Sequence, residues 1–118
     1  PVIAGLPTQQ KLVLAAVLIN ERNGLKNIQT GQLYDVYDQA CSHLNLPSLT
    51  QRRISGIIAN LDMLGLITAR TRSRGRYGRS KEINSCIPGN VETQEIMIQA
   101  DENMHTVFNN RYRQQRPL

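Results

Sequence analysis

The stretch SLTQRRISGIIANLDMLGLITART, residues 48–71, decides how this chain folds. Ile54, Ile57, Ile58, Leu61 and Leu64 recur at three- and four-residue intervals, the spacing that lines one face of an α-helix. Ser48 followed three residues later by Gln51 matches a capping box. Gly65 is the residue type that most often closes a helix. The pattern predicts a helix over about 49–64. After Gly65 the period changes. Ile67, Ala69 and Thr71 alternate with Thr68, Arg70 and Arg72, as in a strand with one face in water.

Working outward, Leu12, Val13, Ala15, Ala16, Leu18 and Ile19 follow helical spacing, with Pro7 suited to a first turn and Gly24 to a stop. They predict a first helix over about 7–23. Residues 27–29 are compatible with a short strand. Thr30 reads as an N-cap, and Leu33, Val36, Tyr37, Ala40, Cys41 and Leu44 trace one face of a second helix over about 31–44. The order helix, helix, short turn, helix is the helix-turn-helix layout. Beyond it, residues 73–79 carry Gly75 and Gly78 and read as a hairpin loop, and 80–87 resume a strand pattern. The expected fold class is mainly α with a small antiparallel β-hairpin, a winged helix-turn-helix over residues 1–87. Residues 88–108 are expected to form short helices packed on it, and 109–118 a flexible basic tail.

The 118 residues fit one domain. With 40% hydrophobic and 19% charged residues the chain is globular rather than disordered. Net charge is +5, but residues 67–81 alone hold six Lys/Arg and no acid, so the excess is concentrated. Such a patch points to a polyanion. Cys41 and Cys86 have no His spacing that would make a metal site, and Cys41 is expected to be a buried thiol. His43 and His105 stand apart, Asp35 and Asp38 are expected to be solvated, and Gly75-Arg76-Tyr77-Gly78 lacks the Lys-Ser/Thr pair of a phosphate loop. No enzymatic activity is expected. The longest apolar run, residues 12–19, is too short to span a membrane, and no signal peptide is present, so an intracellular location, cytoplasm or nucleoid, is expected. The chain begins at Pro1, as an excised domain would.

Three helices and a two-stranded hairpin suit duplex DNA. A helix fits the major groove, where base edges display a readable donor and acceptor pattern. On the third helix the exposed N-terminal half presents Thr50, Gln51, Arg52, Arg53 and Ser55. Arg pairs with guanine, Gln reads adenine, and hydroxyls reach phosphates. Gly56 lowers helix propensity by about 1 kcal/mol relative to Ala, which is explained if backbone must come close to DNA or to a neighbouring element. On the hairpin, Arg70, Arg72 and Arg74 are two apart and share one face, which would repel itself without a counter-charge. Arg76, Arg79 and Lys81 complete the basic set. Gly75 permits a tight tip, and Tyr77 either stacks at a sugar-phosphate edge or packs the loop. Four neutralised phosphates would give a slope of log affinity against log salt of about −3.6. The other readings are a protein-interaction winged helix, which usually lacks a dense arginine wing, and a transcription regulator, which normally carries a long dimerisation helix.

The segments Lys11-Leu12-Val13-Leu14, Thr30-Gly31-Gln32-Leu33-Tyr34-Asp35-Val36-Tyr37, Leu49-Thr50-Gln51-Arg52-Arg53-Ile54-Ser55 and Ser73-Arg74-Gly75-Arg76-Tyr77-Gly78-Arg79-Ser80-Lys81 together closely resemble the C-terminal winged-helix domain of the archaeal replication initiators, relatives of the eukaryotic origin recognition complex. The resemblance covers about residues 6–87 well and 88–108 loosely. It implies recognition of double-stranded origin DNA, with Thr50, Gln51, Arg52, Arg53 and Ser55 on the recognition helix and Arg72, Arg74, Gly75, Arg76, Tyr77 and Arg79 on the wing. It also implies other initiator protomers and the replicative helicase as partners. In that family a separate AAA+ module carries ATP and Mg. No cofactor is expected in this domain.

Overall fold

A computed structural model describes residues 5–73, 75 and 78–86, Arg79 through its backbone alone. Three helices, α1 (Thr8–Arg22), α2 (Thr30–His43) and α3 (Gln51–Met63), precede an antiparallel ribbon of β1 (Ile67–Ser73) and β2 (Arg79–Ser85). This is the winged helix-turn-helix that the sequence predicts. The helices and tail expected over 88–118 lie outside the described residues.

α1 is the hub. Every residue from Lys11 to Asn20 is buried, so the helix is apolar nearly all round, as a core helix is. Its buried amide is satisfied within the helix: Asn20 Nδ2 donates to the Ala16 carbonyl at 2.8 Å. α1 packs on α2, α3 and β2. α2 turns Leu33, Val36, Tyr37, Ala40 and Cys41 inward, and α3 adds Ile54, Ile58 and Leu61. Ile57 is only partly buried, and Leu64, which leaves the helix as its C-cap, is 47% exposed.

Two helix starts differ from the expected ones. Thr30 lies inside α2, because Gln32 Oε1 reaches back to accept the Gln29 N–H at 3.0 Å and makes Gln29 the cap. α3 is capped by Thr50, whose Oγ1 accepts the Arg53 N–H at 3.3 Å. Ser48 does not cap it, since its hydroxyl is bonded to Asp38 Oδ1. α3 therefore begins two residues later than a Ser48 cap implies. Its end follows the sequence: Gly65 has φ of 76°, where a side chain is disfavoured, and Leu66 N–H turns back to the Leu61 carbonyl at 3.1 Å.

The ribbon runs in register from Ile67 opposite Ser85 to Ser73 opposite Arg79. The strand expected at 27–29 contracts to one residue, Ile28, which exchanges two 2.8 Å backbone bonds with Ile83. Asn27, at φ of 52°, and Asn84 brace that bridge with two 3.0 Å bonds. The buried side chains of Ile28, Ile67 and Ile83 join the ribbon's base to the core. Two further bonds close it: Cys86 N–H to the Leu66 carbonyl at 3.0 Å, and Ser85 N–H to Glu21 Oε2 of α1 at 3.1 Å.

Candidate nucleic-acid interface

The turn between α2 and α3 is tied by side chains of α2. Tyr34 donates its hydroxyl to the Leu49 carbonyl at 2.7 Å. The Leu49 N–H donates to the Tyr37 hydroxyl at 2.9 Å, and that hydroxyl donates to Gln9 Oε1 of α1 at 2.6 Å. Both main-chain groups of Leu49 are thus held by tyrosines one helical turn apart, their rings 5.6 Å between centroids. Burial pushes the Tyr37 hydroxyl well above its ordinary range, outweighing the opposing effect of the Leu49 bond, so it stays protonated. The Ser48–Asp38 bond is a third tie. Asp38 is exposed, as a solvated acid is expected to be, and also engaged by Ser48.

This clamp was not singled out in the sequence. Its only signal is a pair of tyrosines at i, i+3 with a turn to follow. It lies one residue before the cap of α3 and so fixes where α3 starts and where it points.

From that start, α3 presents the predicted residues unequally. Gln51, Arg52 and Arg53 are exposed. Among the described residues, neither the Arg52 nor the Arg53 guanidinium has a hydrogen-bond or ion-pair partner. Thr50 and Ser55 are engaged: Thr50 as the cap, Ser55 through its hydroxyl donated to the Gln51 carbonyl at 3.1 Å. Gly56 is exposed, and among the described residues nothing beyond its chain neighbours and the backbone of α3 lies within 4 Å of where its Cβ would stand.

On the ribbon the residues alternate between two faces, but the expected burial of one face is confined to the base, since Thr71 is exposed like Arg70 and Arg72. Residues opposite each other in an antiparallel pair share a face. Thr68, Arg70 and Arg72 thus share the outer face with Asn84, Glu82 and Ser80, and Ile67, Ala69 and Thr71 share the inner face with Ser85, Ile83 and Lys81. Two consequences follow. Lys81 belongs to the face opposite Arg70 and Arg72. The arginine face is also not without counter-charge, because Glu82 stands opposite Arg70 and its Oε2 lies 3.2 Å from the Arg72 guanidinium. Only the register brings that carboxylate into a segment that the sequence shows as free of acids. With Arg72 68% exposed the pair is worth about 0–1 kcal/mol and is readily exchanged for another anion. At the tip Gly75 and Gly78 have φ of 62° and 88°, and Gly78 N–H donates to the Gly75 carbonyl at 3.2 Å, a turn that side chains resist. Arg74, Arg76, Tyr77 and the Arg79 side chain lie outside the described residues.

Elsewhere, Cys41 is buried and burial pushes its thiol up, as expected of a core residue, while Cys86 is exposed. Among the described residues no three His, Cys, Asp or Glu gather as a metal site would need, and no helix is long and apolar enough to cross a membrane.

Comparison with known proteins agrees with this geometry. The family described as CDC6, C terminal winged helix domain, matches residues 1–97. An ORC1-type DNA replication protein of Halobacterium salinarum is 45% identical over 106 residues, 90% of this chain and 20% of the relative. One of Pyrococcus abyssi is 51% identical over 82 residues, 70% of this chain and 20% of the relative. The chain thus spans about a fifth of the length of these curated relatives. The solved structure of the Aeropyrum pernix ORC1 protein in complex with DNA superposes with a TM-score of 0.80 at 35% identity, over 90% of this chain and 27% of that one. Drosophila ORC bound to DNA shares the fold alone, with a TM-score of 0.60 at 13% identity over 92% of this chain and 24% of that one.

Proposed function

The chain belongs to the family of CDC6 C-terminal winged helix domains, and from that premise we propose that it is the duplex-DNA-binding domain of an archaeal replication initiator, recognising origin elements through α3 and the arginine-bearing ribbon. The observation that carries this reading is the pair Arg52 and Arg53: exposed and unpartnered among the described residues, on a helix whose start is clamped and which packs beside β1.

In this reading Gln51, Arg52 and Arg53 reach base edges in the major groove. Thr50 and Ser55 shape the helix start and offer hydroxyls to phosphate. Arg70, Arg72, Arg74, Arg76, Arg79 and Lys81 hold phosphates or enter the adjacent minor groove, and Gly75 and Tyr77 approach the DNA backbone. The domain itself is non-catalytic and needs no cofactor. ATP-dependent work, other initiator protomers and the replicative helicase belong to the whole initiator inside the cell.

The test is a titration of an origin-derived duplex and its scrambled counterpart at several salt concentrations. Arg52→Ala should narrow the gap between the two duplexes. Arg74→Ala/Arg76→Ala should weaken both and flatten the salt slope by about 2. Unchanged affinity in both variants would favour docking of a protein partner instead.

A further inference from the structure

A glycine in the middle of a helix normally has an intramolecular reason, and Gly56 has none among the described residues. Its φ is not positive, unlike those of Gly24, Gly65, Gly75 and Gly78. α3 runs through it without a break from Gln51 to Met63. Among the described residues, and apart from the backbone of α3 itself, nothing packs against it. Gly31 also has open space around it, but lies in the first turn of α2, where a glycine disturbs the helix least. Gly56 stands at the sixth residue of α3, where the helix gives up stability for nothing it touches among the described residues.

What surrounds it supplies the reason. Gly56 is one turn after Arg52, on the same side of α3, and both are exposed. The clamp on Leu49 holds the chain one residue before the cap of α3, close to this turn.

We propose that Gly56 is the point of closest approach of α3 to the floor of the major groove, where the missing side chain lets the helix sink far enough for Arg52 to reach base edges. This rests on the DNA-binding reading above. It adds a positioning role for a residue that makes no side-chain contact. A β-carbon at Gly56 would hold the helix away from the bases while favouring the helix itself, so stability and binding should move in opposite directions.

The experiment compares the full chain with Gly56→Ala by thermal unfolding and by titration of the origin-derived and scrambled duplexes. The expected result is a Tm raised by about 4–8 °C, with tenfold or greater loss of affinity for the origin duplex and a narrower gap to the scrambled one. A raised Tm with unchanged affinity and discrimination overturns the inference and leaves the DNA-binding reading standing, provided Arg74→Ala/Arg76→Ala weakens binding in parallel. A lowered Tm also overturns it, since Gly56 would then serve the fold. If the unaltered chain binds neither duplex, the DNA-binding reading fails and takes this inference with it.

Discussion

α3 and the β-ribbon carry the two halves of the basic surface, and they are held in opposite ways. α3 is fixed along its length: a capped and clamped start, three buried side chains on its inner face, and a glycine close at the end. Among the described residues, the ribbon is fixed at one end. Its base is sewn to Ile28, Leu66 and Glu21, but β1 passes from buried Ile67 through half-buried Thr68 and Ala69 to exposed residues from Arg70 onward. On the proposed function, the difference separates what each would read. Hydrogen bonding to base edges needs donors fixed in position, which α3 supplies. Charge neutralisation tolerates movement, so a ribbon projecting from a fixed base is sufficient for phosphates.

The largest effect should come where the ribbon meets the core. Ile83→Ala removes a fully buried side chain that also seats the Ile28 bridge, and should cost about 3 kcal/mol in urea unfolding of the whole domain. A loss confined to the ribbon would mean that its base is not part of the cooperative unit. Next is Tyr37→Phe, which leaves the Leu49 N–H and Gln9 without their partner and should cost about 2 kcal/mol. The same variant should alter alkaline behaviour. Because the folded state holds the Tyr37 proton more tightly than the unfolded chain does, its contribution is complete below the free tyrosine pKa near 10 and falls as pH rises beyond it. Thermal scans from pH 9 to 11 should therefore decline less steeply in Tyr37→Phe than in the unaltered chain.

Smaller effects probe the two surfaces directly. Thr50→Ala should cost about 1 kcal/mol through the lost cap, and should reduce discrimination between duplexes more than it changes the salt slope. Arg72→Ala should leave stability within about 0.5 kcal/mol. It should also flatten the salt slope by less than the roughly 0.9 expected of an uncompensated arginine, since Glu82 already offsets part of its charge. Arg70→Ala, with no ion pair of its own to break among the described residues, should flatten it more. Equal slopes for the two would mean that Glu82 releases Arg72 without cost.

Much of this arrangement is written in local periodicity. Ile54, Ile58 and Leu61 announce α3, and the alternation from Ile67 to Arg72 announces β1, because each pattern is set by residues a few positions apart. What escaped reading depends on residues brought together from a distance. Glu82 becomes the partner of Arg72 only once the hairpin register is fixed. Ser48 looks like a cap until Asp38, ten residues earlier, takes its hydroxyl. Tyr37 looks like an ordinary inward residue, and Tyr34 stands out in no way, until Leu49 arrives against them. The exposed arginines of α3 were legible by elimination, as positions left over once the apolar face was assigned.

The grip of α2 on Leu49 has one more consequence. Its two tyrosine bonds join a phenol to an amide and a phenol to a carbonyl, with no ionised group in either. Counterions weaken attraction between charges but leave neutral dipoles at contact distance nearly untouched. On the proposed function, higher salt would therefore loosen the domain's hold on DNA without re-aiming the helix, so strength of attachment and angle of entry answer to different variables.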